Sequence, residues 1–137
     1  MAKHVLKDAW VSVNSVDLSD HVRSVTINMD ADLQDVKAMG AVGADWAAGL
    51  RNDSIELTLY QDFDAAKVDA TLFPLFDGGS AFVIAAAASG TAISSTNPKY
   101  SGTVLMGSYQ PLAGEVGAAN ITSITFPVQG KVARATA

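Results

Sequence analysis

The residues of this chain that could do chemistry are few, and most of them are carboxylates. Ser19, Asp20 and His21 are the residue types of a hydrolytic triad, but they are sequence neighbours. A triad needs its members converging in space, and adjacent residues of an extended chain point to opposite faces. The stretch reads as a polar turn before a strand. His4 and His21 are the only histidines, and a metal site built on both would need carboxylates converging on them as well. Asp30, Asp32 and Asp35 resemble the start of a calcium loop. Its sixth position is Asp35, where a sharp turn needs glycine, and its twelfth is Ala41, where a bidentate Glu belongs. Asp62, Asp64 and Asp69 fail the same test and read as helix-capping and solvated helix residues. Gly40 to Gly43 has no Lys-Ser/Thr after it and no βαβ context, so it is no phosphate loop. Tyr100 and Tyr109 share their segment with Lys99 alone, too little for a single-strand nucleic-acid platform. Glu56 and Glu115 define no readable acid/base pair. No catalytic residue, cofactor site or metal site is assigned, and the chain is read as a non-enzyme.

The composition points to association instead. The 137 residues make one domain with enough length for a single core. Hydrophobic residues are 49% and charged residues 17% of the chain, and mean hydropathy is +0.22, against about 25% charged in an average soluble domain. No apolar run reaches the roughly 20 residues of a membrane span, and MAKHVLKDAW lacks the apolar core of a secretion signal. Low charge without a membrane segment leaves apolar surface to hide, and oligomerisation hides it. There is no cysteine, hence no disulfide or thiolate chemistry. Thirteen of the fourteen acids lie in residues 1–77. A chain this acidic is not expected to hold DNA by neutralising phosphates.

The elements that position these residues are mainly strands. Ala9 to Val13 reads as a strand, Asn14-Ser15 as a turn, and Val22 to Met29 as a half-buried strand with Val25, Ile27 and Met29 on one face. Ser54 to Tyr60 is the clearest strand: Ile55, Leu57 and Leu59 alternate with Glu56, Thr58 and Tyr60, which fixes its register. Residues 62–77 form the one helix expected, capped by Asp62 or Asp64, with Val68, Leu72, Leu75 and Phe76 on one face. Pro74 is expected to end its regular part near Leu72 or Phe73. Ala81 to Ala87, Lys99 to Leu112 and Ile121 to Gln129 read as further strands, the last at an edge or carrying a bulge because of Pro127. Residues 131–137 read as a loose tail. The expected fold is mainly β: a β-sandwich or small barrel with one flanking α-helix and a long inter-strand loop, in a single domain spanning 1–137.

That loop, Asp30 to Asp53, reads as neither strand nor good helix. Gly40, Gly43 and Gly49 oppose a helix. Leu33, Val36, Met39, Val42, Trp46 and Leu50 make it too apolar for a solvated loop. Loops beyond about 12–15 residues are uncommon in compact domains and are functional or disordered, and disordered segments are poor in large apolar groups. These six residues are therefore expected at an interface with another subunit.

Taken in order, several stretches resemble bacteriophage major tail proteins, the tail tube subunits of long non-contractile tails. AWVSVNSVDLSDHVRSVTINMD is similar to their opening strand, turn and strand, with Ser15 where glycine is common. Met39-Gly40, Trp46 and Ala48-Gly49-Leu50 follow, then SIELTLYQDFD, the helix AAKVDATLFPLFDGG, the NPKYSG turn and a last strand ending near Phe126. The resemblance spans Ala9 to Gln129 and lies in the order and spacing of these features. It implies a β-sandwich with a flanking helix, subunits in stacked hexameric rings, and one sheet of each subunit joined to its neighbours in a continuous inner barrel. The long loop would reach neighbouring subunits and the adjacent ring. The partners implied are further copies of the chain, a tape-measure protein, a tail terminator, and DNA passing through the lumen without specific binding. The location implied is the virion tail, after synthesis in the host cytoplasm, with no membrane insertion. Glu56 and Thr58, on the polar face of the clearest strand, are the expected lumen residues of an acidic channel. A tail-terminator or completion protein stopping at one ring is the near alternative. A small carbohydrate-binding β-sandwich is the distant one, and it would need a face of exposed aromatics.

Overall fold

The computed structural model describes residues 7, 9–40 and 42–136; His4, and with it any pairing of the two histidines, lies outside them. Two antiparallel sheets face each other across one core. The larger is assembled in the order β10-β8-β7-β1-β2 from Trp10–Val13 (β1), Val16–Asp17 (β2), Phe82–Ala87 (β7), Lys99–Val104 (β8) and Ala133–Ala135 (β10). The smaller has the order β3-β6-β9, with β3 at Val22–Asn28, β6 at Ser54–Tyr60 and β9 at Ile121–Pro127. Val104 and Val128 form a bridge that stitches the two sheets together at one side.

The core follows from the alternation. Ile55, Leu57 and Leu59 of β6 point inward, flanked by Val25 and Ile27 of β3 and by Ile124 and Phe126 of β9. Val11, Val13, Ile84, Ala86 and Val104 face them from the larger sheet. Phe82 and Phe126 meet across the interior edge to face, with ring centroids 5.9 Å apart, a geometry the ring quadrupoles favour. Asn14 and Ser15 both have positive φ, 49° and 68°, so the β1–β2 hairpin turns on a two-residue loop whose twist matches its strands. Ser15 holds the left-handed conformation without being glycine.

The helix, α1, runs Val68–Gly78, so it begins six residues later than the start at Asp62 expected from the sequence. Neither Asp62 nor Asp64 caps it: Lys67 occupies the N-cap position, with no side-chain cap bond. Asp62 is drawn away by other partners, accepting the backbone N–H of Asp64 and facing His21. Pro74 sits inside the helix, which continues to Gly78 and stops at left-handed Gly79. Burial of Val68, Thr71 and Leu72, with Leu75 against the core, outweighs the one donor that proline removes. Phe76 is half-exposed instead of joining that face. No helix among the described residues is long and apolar enough to cross a membrane.

Three further segments differ from expectation. Asp30 to Asp53 is not an irregular loop: Ala31–Asp35 (β4) and Trp46–Arg51 (β5) pair as a two-stranded hairpin. The strand beginning at Lys99 ends at Val104, and the chain then runs irregularly beside β9, held by Leu105 N–H to Pro127 and by Thr122 Oγ1 to the Gln110 carbonyl. The tail is not loose either: Val132 is buried and Ala133–Ala135 pairs with β8.

Candidate assembly surface

β3 and β6 are hydrogen-bonded neighbours whose last pair is Asn28 with Ser54. The chain between those two residues continues the same ladder outward. Asn52 N–H bonds the Asp30 carbonyl, Ala31 pairs with Arg51, Asp35 pairs with Trp46, and Val36 N–H bonds the Asp45 carbonyl. The arm is thus the far half of one long hairpin, roughly 20 Å of it at about 3.4 Å per residue. A register shift between Ala31 and Leu33 sets the pairing Leu33–Ala48 and Asp35–Trp46. By the pairing and the two-residue strand period, Leu33, Asp35, Trp46 and Ala48 share one face and Gln34 and Ala47 the other, while Gly49 and Leu50 lie at the register shift between Ala48 and Arg51. Only glycine fits at position 49, because a Cβ there would stand 2.6 Å from the Asp32 carbonyl oxygen.

Among the described residues nothing covers the arm's large apolar side chains. Trp46 is 57% and Leu50 86% exposed, and Leu33 and Val36 are more than half exposed, while Met39 and Val42 at the tip are fully so. A lone exposed leucine is ordinary, but six large apolar residues exposed along one short hairpin and its tip mark an interaction surface.

The arm's root, by contrast, is tightly held. The Asp53 carboxylate is fully buried and takes four donors: Asp30 N–H at 3.0 Å, Arg51 Nε at 3.0 Å, Arg51 Nη2 at 2.6 Å, and Val132 N–H at 2.7 Å. Burial alone would raise its pKa. The N–H of Val132, the Arg51 guanidinium and the N–H of Asp30 overcome that and hold it below the ordinary carboxylate value. One side chain therefore ties both strands of the arm to the segment leading into β10.

The triad residue types make no triad. Ser19 Oγ accepts the Val11 N–H and bonds Asp17, and no bond joins it to His21. His21 instead lies between two carboxylates, Nδ1 to Asp20 and Nε2 to Asp62, both at 2.8 Å. A carboxylate on each ring nitrogen favours the cationic form of the imidazole. Partial burial opposes this and is outweighed by the bonds to Asp62 and Asp20, so its pKa is raised, while those of Asp20 and Asp62 are lowered. The cluster pins the turn before β3 to the approach of α1. A comparable seam joins Tyr109 to Asp69 of α1 at 2.7 Å and to Gln61 at 2.9 Å; burial and the Asp69 carboxylate push the phenol up to about 12. The calcium-loop residues are dispersed: Asp32 accepts the Gln34 amide, Asp35 holds Lys37, and Asp30 bonds Asp53 through its backbone.

Glu56 and Thr58 stand on the outward face of β6. Pairing places Thr26 and Thr125 beside Glu56, and Ser24 and Ser123 beside Thr58. Thr58 Oγ1 and Ser123 Oγ are 3.2 Å apart, and Asn28 reaches Ser54. The face is a three-strand array of hydroxyls with one carboxylate near its middle. The sequence reading found Glu56 and Thr58 but missed the array, because cross-strand partners are not readable from one strand. It also missed Asp53, although Arg51-x-Asp53 at a two-residue spacing is a legible ion pair.

No protein-family model matches the chain, and no curated protein matches it. Solved structures do match in fold. A chain of the virion of a native gene transfer agent particle superposes with a TM-score of 0.75 at 14% identity, covering 96% of this chain and 98% of its own. The SPP1 tail tube protein matches at 0.74 and 16% identity, over 95% and 77%. The sheath/tube terminator of an extracellular contractile injection system, PVC, in its extended state matches at 0.76 and 13%, over 98% and 97%. The chain has the β-sandwich fold of tail tube and tube terminator proteins.

Proposed function

We propose that this chain is a structural subunit of a phage-like tail, assembling into stacked hexameric rings that form the tail tube. The observation that carries this is the arm: a hairpin whose large apolar residues are exposed, rooted by the Asp53 clamp in a domain of tail-tube fold. Exposed apolar surface of this kind marks an interaction site. Leu33, Val36, Met39, Val42, Trp46 and Leu50 are the contact residues between subunits and between rings. The partners are other copies of the chain, a terminator at the end of the tube and a tape-measure protein within it. The location is the virion tail, following synthesis in the host cytoplasm.

The hydroxyl array bearing Glu56 and Thr58 lines the lumen in this reading. Hydroxyls present no fixed charge to a passing duplex. A ring of Glu56 carboxylates repels phosphates, which lie at about one charge per 1.7 Å of DNA axis. DNA therefore passes without being held. The work is mechanical and electrostatic, with no catalysis.

A single capping ring, as in a tube terminator, is the second reading, favoured by the likeness in fold to such a protein. Electron microscopy of the concentrated protein separates the two. Stacked tubes support the tube subunit, isolated rings the terminator, and monomers at every concentration overturn both.

A further inference from the structure

Two lightly anchored parts of the described chain meet at one buried carboxylate. The arm is the first. Every residue of β5 is exposed, and of β4 only Ala31 is partly covered. A two-stranded hairpin on its own is marginally stable in water, so the order of the arm depends on how its root is held. The second is the stretch 128–135, which leads into and includes β10. Val132 is its only buried residue, and β10 makes three pairs along the outer edge of β8. Short edge segments with little burial open at small free-energy cost. Asp53 joins the two parts. Its backbone carbonyl accepts the Val128 N–H at 3.0 Å and its carboxylate accepts the Val132 N–H at 2.7 Å, so residues 128–132 are stapled to it at both ends. Gly130, at a φ of 84°, lies in the turn between the two staples. The same carboxylate holds the Asp30 N–H and the Arg51 side chain at the arm's root.

We propose that residues 128–135 are a strap over the arm's root, and that arm and strap open and close together through Asp53. With the strap seated, the Asp53 carboxylate has no exposed surface, and its bonds to Arg51 and Asp30 are made away from water, where they are strong. With the strap lifted, Oδ2 loses the Val132 N–H and water takes its place. The Arg51–Asp53 pair becomes a surface ion pair, which holds little, and the root of the arm loosens. Coupling of this kind is reciprocal. Whatever orders the arm also seats the strap, and disorder in the arm frees β10 from β8. The device lies within one chain, so it stands apart from the assembly reading and a chain in dilute solution shows it.

Native-state amide exchange in dilute solution reads the coupling in both directions. A chain cut after Gly130 lacks Val132 and β10. The expected result is exchange about tenfold or more faster across Ala31–Asp35 and Trp46–Arg51, with β6 as protected as in the full chain. Asp53→Asn accelerates the arm and β10 together. Cutting the Asp53→Asn chain after Gly130 then adds less than about threefold at the arm, because the link is already broken. The reverse direction uses the full-length chain. Gly49→Ala parts β4 from β5 at a site away from the strap, and the Val132 amide should exchange about threefold or more faster. If the cut chain keeps β6 protected while its arm exchanges at the wild-type rate, the strap does not hold the arm and the proposal falls. It falls equally if Gly49→Ala opens the arm and the Val132 amide exchanges as before. Should the cut chain lose the protection of β6, the full-length Gly49→Ala and Asp53→Asn chains decide by the same readings.

Discussion

Asp53 and His21 are the two residues that do most for their size, and each predicts a pH dependence of a different sign. Asp53 is buried with four donors, and its pKa is depressed. Its stabilisation is present above the ordinary value of 3.8 and is lost as pH falls through the lower folded value. Asp53→Asn leaves Arg51 without its ion pair and the Val132 and Asp30 N–H groups competing for one oxygen. The expected loss is about 2–4 kcal/mol, below the fully buried case because Arg51 stays one-third exposed. Urea denaturation checks it, and hydrogen exchange should show the arm root opening with β10. His21 has the opposite sign. Its pKa is raised, so its contribution is fully present below 6.5 and lost as pH rises through the folded value. Asp20 and Asp62, both lowered from 3.8, lose theirs on acidification. The cluster is therefore tightest between those limits. Thermal melts of His21→Gln should lose the wild-type decline in stability above about pH 6.5; an unchanged decline would remove His21 as its source.

At the scale of elements, the proposed assembly role falls to the arm, while the buried core lies in the sandwich. Trp46 and Leu50 are exposed, so Trp46→Ser with Leu50→Ser should change monomer stability by no more than about 0.5 kcal/mol per site. The same pair should abolish tubes by electron microscopy. Stability and assembly are thereby separable, which a core substitution cannot achieve. Gly49→Ala acts differently: its Cβ would sit 2.6 Å from the Asp32 carbonyl, so β4 and β5 must part. Amide exchange across Ala31–Asp35 and Trp46–Arg51 should accelerate while β6 stays protected. The strand β5 was hidden from sequence reading because Trp46, Ala48 and Leu50 stand among Ala47 and Gly49, with no polar residue before Arg51 to mark an outer face. The helix start was misread for a related reason: Asp62 has the chemistry of a cap, but His21, distant in sequence, takes it first.

At the scale of the whole molecule, the proposed tube makes Glu56 a ring of negative charge in a hydroxyl-lined bore. Glu56→Lys should leave tubes intact, because the residue is exposed and unpaired among the described residues. Such tubes should retain duplex DNA at low salt and release it as salt rises, with wild-type tubes retaining none. Equal DNA retention by both would move Glu56 off the lumen. What the sequence determined by itself is whatever rests on local period and composition: the register of Ser54 to Tyr60, a mainly β sandwich with one helix, the poverty of catalytic groups, and a surplus of apolar surface concentrated between Asp30 and Asp53. The tertiary structure alone decided that this surplus lies on a two-stranded hairpin, that Asp53 clamps it to the C-terminal strand, and that an apolar groove opens beside β3. Each of these depends on pairing between residues far apart in the chain, and a strand carries its own periodicity but not the identity of its neighbour.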